Sequence, residues 1–93
     1  MEFKHVAGEN KGKITLYALS TCIWCKKAKK LLTDLGLEFS YIDVDQLDSQ
    51  EETKVVQEIT RWNPKCSFPT MVIDDNRCIL GYDETKIREL AKK

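Results

Sequence analysis

Thr21-Cys22-Ile23-Trp24-Cys25-Lys26 decides how this chain reads: two thiols two residues apart, between a strand-like run and a helix-like run. Upstream, Ile14-Thr15-Leu16-Tyr17-Ala18-Leu19 is short, mostly apolar and rich in strand formers, the pattern of a strand covered on both faces. Downstream, Ala28, Leu31, Leu32 and Leu35 recur at three- and four-residue steps among lysines, and Gly36 supplies a stop. Cys22 is therefore expected at a helix N-terminus, where unpaired N–H groups favour negative charge, and is expected to be an acidic thiol. Cys25 precedes Ala28 by three residues and Leu32 by seven, so it shares their buried stripe. An exposed attacking sulfur beside a shielded one is what dithiol exchange requires: Cys22 forms the mixed disulfide and Cys25 displaces it. Thr21, Trp24 and Lys26 flank the pair as supporting residues, and Lys26 with Lys27 adds positive field near Cys22.

Composition narrows the rest. A chain of 93 residues makes one domain with room for a core, and 42% hydrophobic residues suit a soluble globule. Fifteen basic and fifteen acidic residues cancel, so no global field points to nucleic acid or an anionic membrane. Residues 1–12 lack an apolar signal-like run and no later stretch reaches membrane-spanning length, which together lead us to expect a cytoplasmic protein. Four cysteines in that compartment suggest reduced, reactive or metal-binding thiols rather than a disulfide framework.

Residues 1–12 carry Gly8, Asn10 and Gly12 among charges and read as a flexible lead-in, with the domain occupying 13–93. His5 lies alone in that lead-in and is assigned no role. After the first strand and helix, Phe39-Ser40-Tyr41-Ile42-Asp43-Val44 reads as a second strand, parallel to the first through a right-handed crossover. Ser49 and Glu52 form a capping-box pattern ahead of Val55, Val56, Ile59 and Trp62, and Asn63-Pro64 ends that helix. Pro69 opens a third strand through Ile73, as a proline best suits a strand's first residue. Asp74-Asp75-Asn76-Arg77 is turn chemistry, so Cys78-Ile79-Leu80 returns antiparallel. Gly81-Tyr82 breaks that strand and Asp83 caps a last helix buried through Ile87, Leu90 and Ala91. The expected order is β-α-β-α-β-β-α: an α/β fold with a four-stranded mixed sheet flanked by three helices.

A CxxC closing the first strand, a proline opening the third and a glycine before the last helix resemble the thioredoxin fold in its glutaredoxin form, over about residues 13 to 92. The resemblance implies a thiol–disulfide oxidoreductase with Cys22 as nucleophile, Cys25 as resolving thiol and Pro69 as a cis-proline facing them. It implies that Phe68 offers its backbone to a bound thiol substrate, which suits main-chain pairing that tolerates many partners. Glutaredoxins usually carry a lysine where Leu19 stands, a proline where Ile23 stands, and a second glycine where Tyr82 stands beside Gly81. One cation and one glycine of the usual glutathione cradle are thus replaced, and the Gly81-Tyr82 to Ile87 segment looks more like NrdH-type redoxins. Some archaeal glutaredoxin-like proteins, including those serving coenzyme M, depart in similar ways. On this reading no cofactor is held tightly, and electrons come from glutathione, another small thiol or a thioredoxin-reductase-type enzyme. The expected partners are disulfide-containing proteins or small-molecule disulfides and a reductase, met by a monomer, and Tyr82 and Asp83 are expected to border the thiol groove.

Cys78, inside an apolar run, reads as a small buried side chain, whereas Cys66 stands three residues before Pro69 and is a candidate regulatory thiol. Arg61, Lys65 and Arg77 read as surface charges. Two rival functions remain on this evidence: a zinc or iron–sulfur module using these cysteines, and a glutathione-dependent monothiol-type transferase. Against the first, Cys66 and Cys78 lie twelve residues apart and form no chelating loop, so no metal ligand is assigned.

Overall fold

The computed structural model describes residues 3–92; Met1, Glu2 and Lys93, which belong to the expected lead-in and domain, lie outside that range. Its elements are β1 (Lys4–Val6), β2 (Ile14–Ala18), α1 (Ile23–Asp34), β3 (Phe39–Asp43), α2 (Ser49–Trp62), β4 (Thr70–Ile73), β5 (Arg77–Leu80) and α3 (Glu84–Leu90), with a 3₁₀ turn over Val44–Gln46. One mixed sheet runs β1-β3-β2-β4-β5. The parallel pair is β2 with β3, joined across α1; the β1–β3, β2–β4 and β4–β5 pairs are antiparallel.

Alternation along the strands builds two cores. Ile14, Leu16 and Ala18 of β2, Phe39 of β3, Met71 and Ile73 of β4 and Ile79 of β5 face Cys25, Ala28, Leu31 and Leu32 of α1 and Ile87 and Leu90 of α3. On the opposite face Tyr17, Ile42 and Val72 meet Val55 and Ile59 of α2, with Trp62 packed at the margin. So β2 is covered on both faces, as its apolar run predicts, and β2 leads straight into the thiol pair.

The sheet has five strands among the described residues, one more than the sequence suggests. The extra strand, β1, falls in the stretch expected to be a loose lead-in. It is three residues long, two of them polar, so it has no hydrophobic period to read; backbone pairing with β3 (His5 opposite Ser40) holds it. The following segment is anchored too: the Glu9 amide donates to the Gly36 carbonyl at 2.7 Å and the Glu38 amide to the Glu9 carbonyl at 3.0 Å. Gly8 fits only because it lacks a side chain, since a Cβ there would stand 2.5 Å from the Leu37 carbonyl carbon.

Helix ends follow local chemistry. Gly36, at φ +71°, lets the Leu37 amide reach back to the Leu32 carbonyl (3.1 Å) and closes α1 with a Schellman turn. The cap of α2 is Asp48, whose Oδ1 accepts the Glu51 amide at 2.8 Å, one residue earlier than the Ser49–Glu52 box predicts. Asp83 caps α3 as expected, accepting the Lys86 amide at 3.0 Å. Asp74 and Asp75, at φ +54° and +55°, are the central residues of the turn over 74–76 between β4 and β5, in which the Asn76 amide donates to the Ile73 carbonyl at 3.2 Å. No helix among the described residues is long and apolar enough to cross a membrane.

Candidate active site at the start of the first helix

Cys22 is the N-cap of α1, with an extended backbone (φ −84°, ψ 116°). Its Sγ stands where a capping oxygen usually stands and accepts the Cys25 amide at 3.1 Å. The Cys22 side chain is half-buried, whereas Cys25 is fully enclosed. Burial raises the Cys25 thiol well above the ordinary range, and its hydrogen bond to Cys22 acts in the same sense; the Leu19 backbone and the Lys29 charge pull the other way. The expected division holds: one sulfur at the helix tip, one inside the stripe of Ala28 and Leu32.

Two contacts that the sequence does not reveal hold this junction. The loop ahead of Cys22 is tied down by Asp45, whose carboxylate accepts the Ser20 amide at 2.8 Å and the Ser20 hydroxyl. Those bonds hold the Asp45 carboxyl below the usual range. Below Cys25, Lys29 pairs with Asp43 of β3 at 2.9 Å, and its Nζ lies 4.2 Å from the centre of the Tyr41 ring. Each contact joins residues fourteen or twenty-five positions apart, and no local spacing in the sequence announces it.

Beside the pair lies an open groove of about 230 Å³ lined by Trp24, Phe68, Pro69, Gly81 and Tyr82. The Phe68–Pro69 bond is cis, and the Gly81 amide donates to the Pro69 carbonyl at 2.8 Å, joining the two strand ends that form the floor. A buried Asn63 secures the approach to that bond, donating to Ser67 Oγ at 2.8 Å and Thr70 Oγ1 at 3.2 Å. Trp24 is about half exposed (53%) and leans on Tyr82, with ring centroids 5.6 Å apart, while Lys27 Nζ lies 4.5 Å from the centre of the Trp24 ring. Ile23 and Leu80, exposed by 66% and 51%, add apolar surface at the same end. No acidic residue stands in the first turn of α1.

The structure therefore brings together Cys22, Cys25, Trp24, Phe68, Pro69 and Tyr82. Thr21 and Lys26 are exposed at the helix start, and Asp83, expected at the groove border, uses its carboxylate to cap α3. Cys66 packs on the α2-side core at φ +48°, and Cys78 donates its thiol to the Trp62 carbonyl at 3.6 Å. Among the described residues no three His, Cys, Asp or Glu side chains gather as a metal-binding group, so the four thiols are not assembled into a tetrahedral zinc site.

Comparison with known proteins agrees with this geometry. The glutaredoxin family model matches residues 14–78. An uncharacterised glutaredoxin-like protein of the rubredoxin operon in Clostridium pasteurianum is 30% identical over 80 residues, which are 86% of this chain and 99% of the relative. Among solved structures, Methanosarcina acetivorans methanoredoxin superposes with a TM-score of 0.93 at 48% identity, covering 99% of this chain and 97% of its own. The glutaredoxin from Methanosarcina mazei Go1 does so with a TM-score of 0.90 at 49% identity, covering 100% and 90%. With the family model spanning well over half the chain and the thiol pair at the family's position, this protein belongs to the glutaredoxin family, whose members carry redox oxidoreductase activity.

Proposed function

We propose that the protein reduces disulfides in proteins or small molecules by a dithiol mechanism at Cys22 and Cys25. The observation that carries this reading is the N-cap position of the Cys22 sulfur, in contact with the amide of a fully enclosed Cys25. A helix N-terminus favours negative charge on an atom placed there, so Cys22 is the group that attacks. Attack on a disulfide R–S–S–R′ releases R′–S⁻ and leaves R–S bonded to Cys22 Sγ as a mixed disulfide. The Cys25 thiolate then attacks Cys22 Sγ, R–S⁻ departs, and the internal disulfide forms; two electrons pass from protein to substrate. In the groove floor the main chain of Phe68 holds the substrate in line, and Trp24 and Tyr82 supply an apolar wall.

Reduction of the Cys22–Cys25 disulfide restores the protein, with glutathione, another small thiol or a thioredoxin-reductase-type enzyme as the electron source. Leu19 and Tyr82, in place of the family's usual lysine and second glycine, favour a donor other than glutathione. Cys25→Ser tests mechanism and donor together. The dithiol reading expects this variant to lose turnover on protein disulfides and to accumulate as a substrate adduct on Cys22, detectable by mass. Full retention of turnover with glutathione as sole reductant would instead establish the monothiol route.

A further inference from the structure

We propose that Lys29, clamped by Asp43 and Tyr41 one helical turn beyond Cys25, is the positioning cation that stabilises the Cys25 thiolate while it resolves the mixed disulfide. The inference rests on the dithiol reading above and explains how its second step proceeds at a sulfur that is fully enclosed.

A buried thiol is a poor nucleophile because the attacking species is the thiolate and desolvation disfavours it. Burial is the largest influence on Cys25, and it opposes ionisation. Lys29 occupies position i+4 from Cys25 on α1, and helical side chains lean toward the N-terminus, so its stem runs back along the same face. The ammonium does not swing free: Asp43 Oδ1 holds it at 2.9 Å and the Tyr41 ring at 4.2 Å, and the side chains of Lys29 and Asp43 are only 22% and 15% exposed. A partly dehydrated, immobilised cation acts through a lower dielectric than the solvated Lys26 and Lys30 on the same helix.

The other titratable groups facing this region are Cys22 from the helix N-cap, Asp43 and Tyr41 from β3, and Tyr82 from the segment before α3. The neighbouring inward residues of β2 and β4, such as Leu16, Ala18 and Met71, are apolar, as are Ile87 and Leu90 of α3. Lys29 is thus the cation built into the Cys25 side of the site. In the resolving step the S–H bond of Cys25 breaks, its sulfur bonds to Cys22 Sγ, the Cys22–S–R bond breaks, and the departing R–S⁻ takes up one proton from solvent in place of the one Cys25 released.

The magnitude is bounded. Lowering a thiol pKa by one unit gives tenfold more thiolate below that pKa, but each thiolate is then about threefold less nucleophilic, so the net gain is about three- to fourfold.

The test is stopped-flow reduction of dithiobis(nitrobenzoate) by protein whose Cys66 and Cys78 are serine. The fast phase reports attack by Cys22, and the second release of thionitrobenzoate reports resolution by Cys25. Lys29→Met keeps the packed stem and should leave the first phase unchanged. It should slow the second about three- to fourfold and move the pH profile of that phase to higher pH, and Lys29→Arg should restore most of the rate. An unchanged second phase and pH profile in Lys29→Met would overturn the inference while leaving the dithiol reading intact. Absence of any second phase in the parent protein would overturn the dithiol reading itself.

Discussion

Cys25 and Cys22 are chemically identical side chains three residues apart, and burial and the helix N-cap give them different surroundings. Cys22 follows the loop after β2, half-buried, and caps the helix; Cys25 has turned one helical step inward and is lost to solvent. Both placements were legible because the 3.6-residue period puts Cys25 on the Ala28–Leu32 stripe. The side chains that tune the pair were not. Lys29 looks like one of several lysines on a solvated face, and only the fold reveals that β3 delivers Asp43 and Tyr41 to it. Tyr82 illustrates the intermediate case: the sequence places it after the last strand, and the structure adds its ring contact with Trp24. An aromatic pair contributes about 0.5–1.5 kcal/mol beyond its buried area, or roughly two- to twelvefold in an equilibrium. Tyr82→Ala should therefore raise KM for a peptide disulfide about two- to twelvefold with little change in kcat, and an unchanged KM in steady-state assays would remove Tyr82 from the substrate groove.

Among the elements, the strongly patterned ones were readable and the weakly patterned one was not. α1 and α2 carry apolar stripes, β2 and β4 are continuous apolar runs, and the Asp74-Asp75 turn joins β4 to β5 by its own chemistry. β1 carries no such signal, because Lys4 and His5 are exposed and an edge strand of three residues is held by its backbone. The one-residue difference at the α2 cap has a similar origin: Asp48 and Ser49 are both good caps, and local sequence does not choose between them. The glycine that admits the N-terminal segment gives the sharpest check on this part of the fold. Gly8→Ala forces a Cβ against the Leu37 backbone and should cost about 1–3 kcal/mol, a fall in Tm of roughly 4–20 °C for a domain this size. A melting curve identical to the parent would mean that the segment does not dock against the end of α1.

At the scale of the molecule, the sheet brings three distant pieces of chain to one end: the β2–α1 junction with Cys22, the Phe68–Pro69 entry to β4, and Gly81-Tyr82 after β5. That convergence is why the order of elements, once read, also pointed to the candidate site, although the contacts of Trp24 with Tyr82 and Lys27 are visible only in the fold. The central claim is that Cys22 and Cys25 act as one two-electron pair. Its most direct test is to equilibrate the purified protein in glutathione buffers of known poise, trap free thiols by alkylation, and locate the oxidised sulfurs by mass spectrometry. The account predicts that Cys22 and Cys25 oxidise together as an internal disulfide with a midpoint at about −270 to −180 mV. Thiols that stay reduced across that range, or oxidation that pairs Cys22 with Cys66 or Cys78 instead, would contradict it.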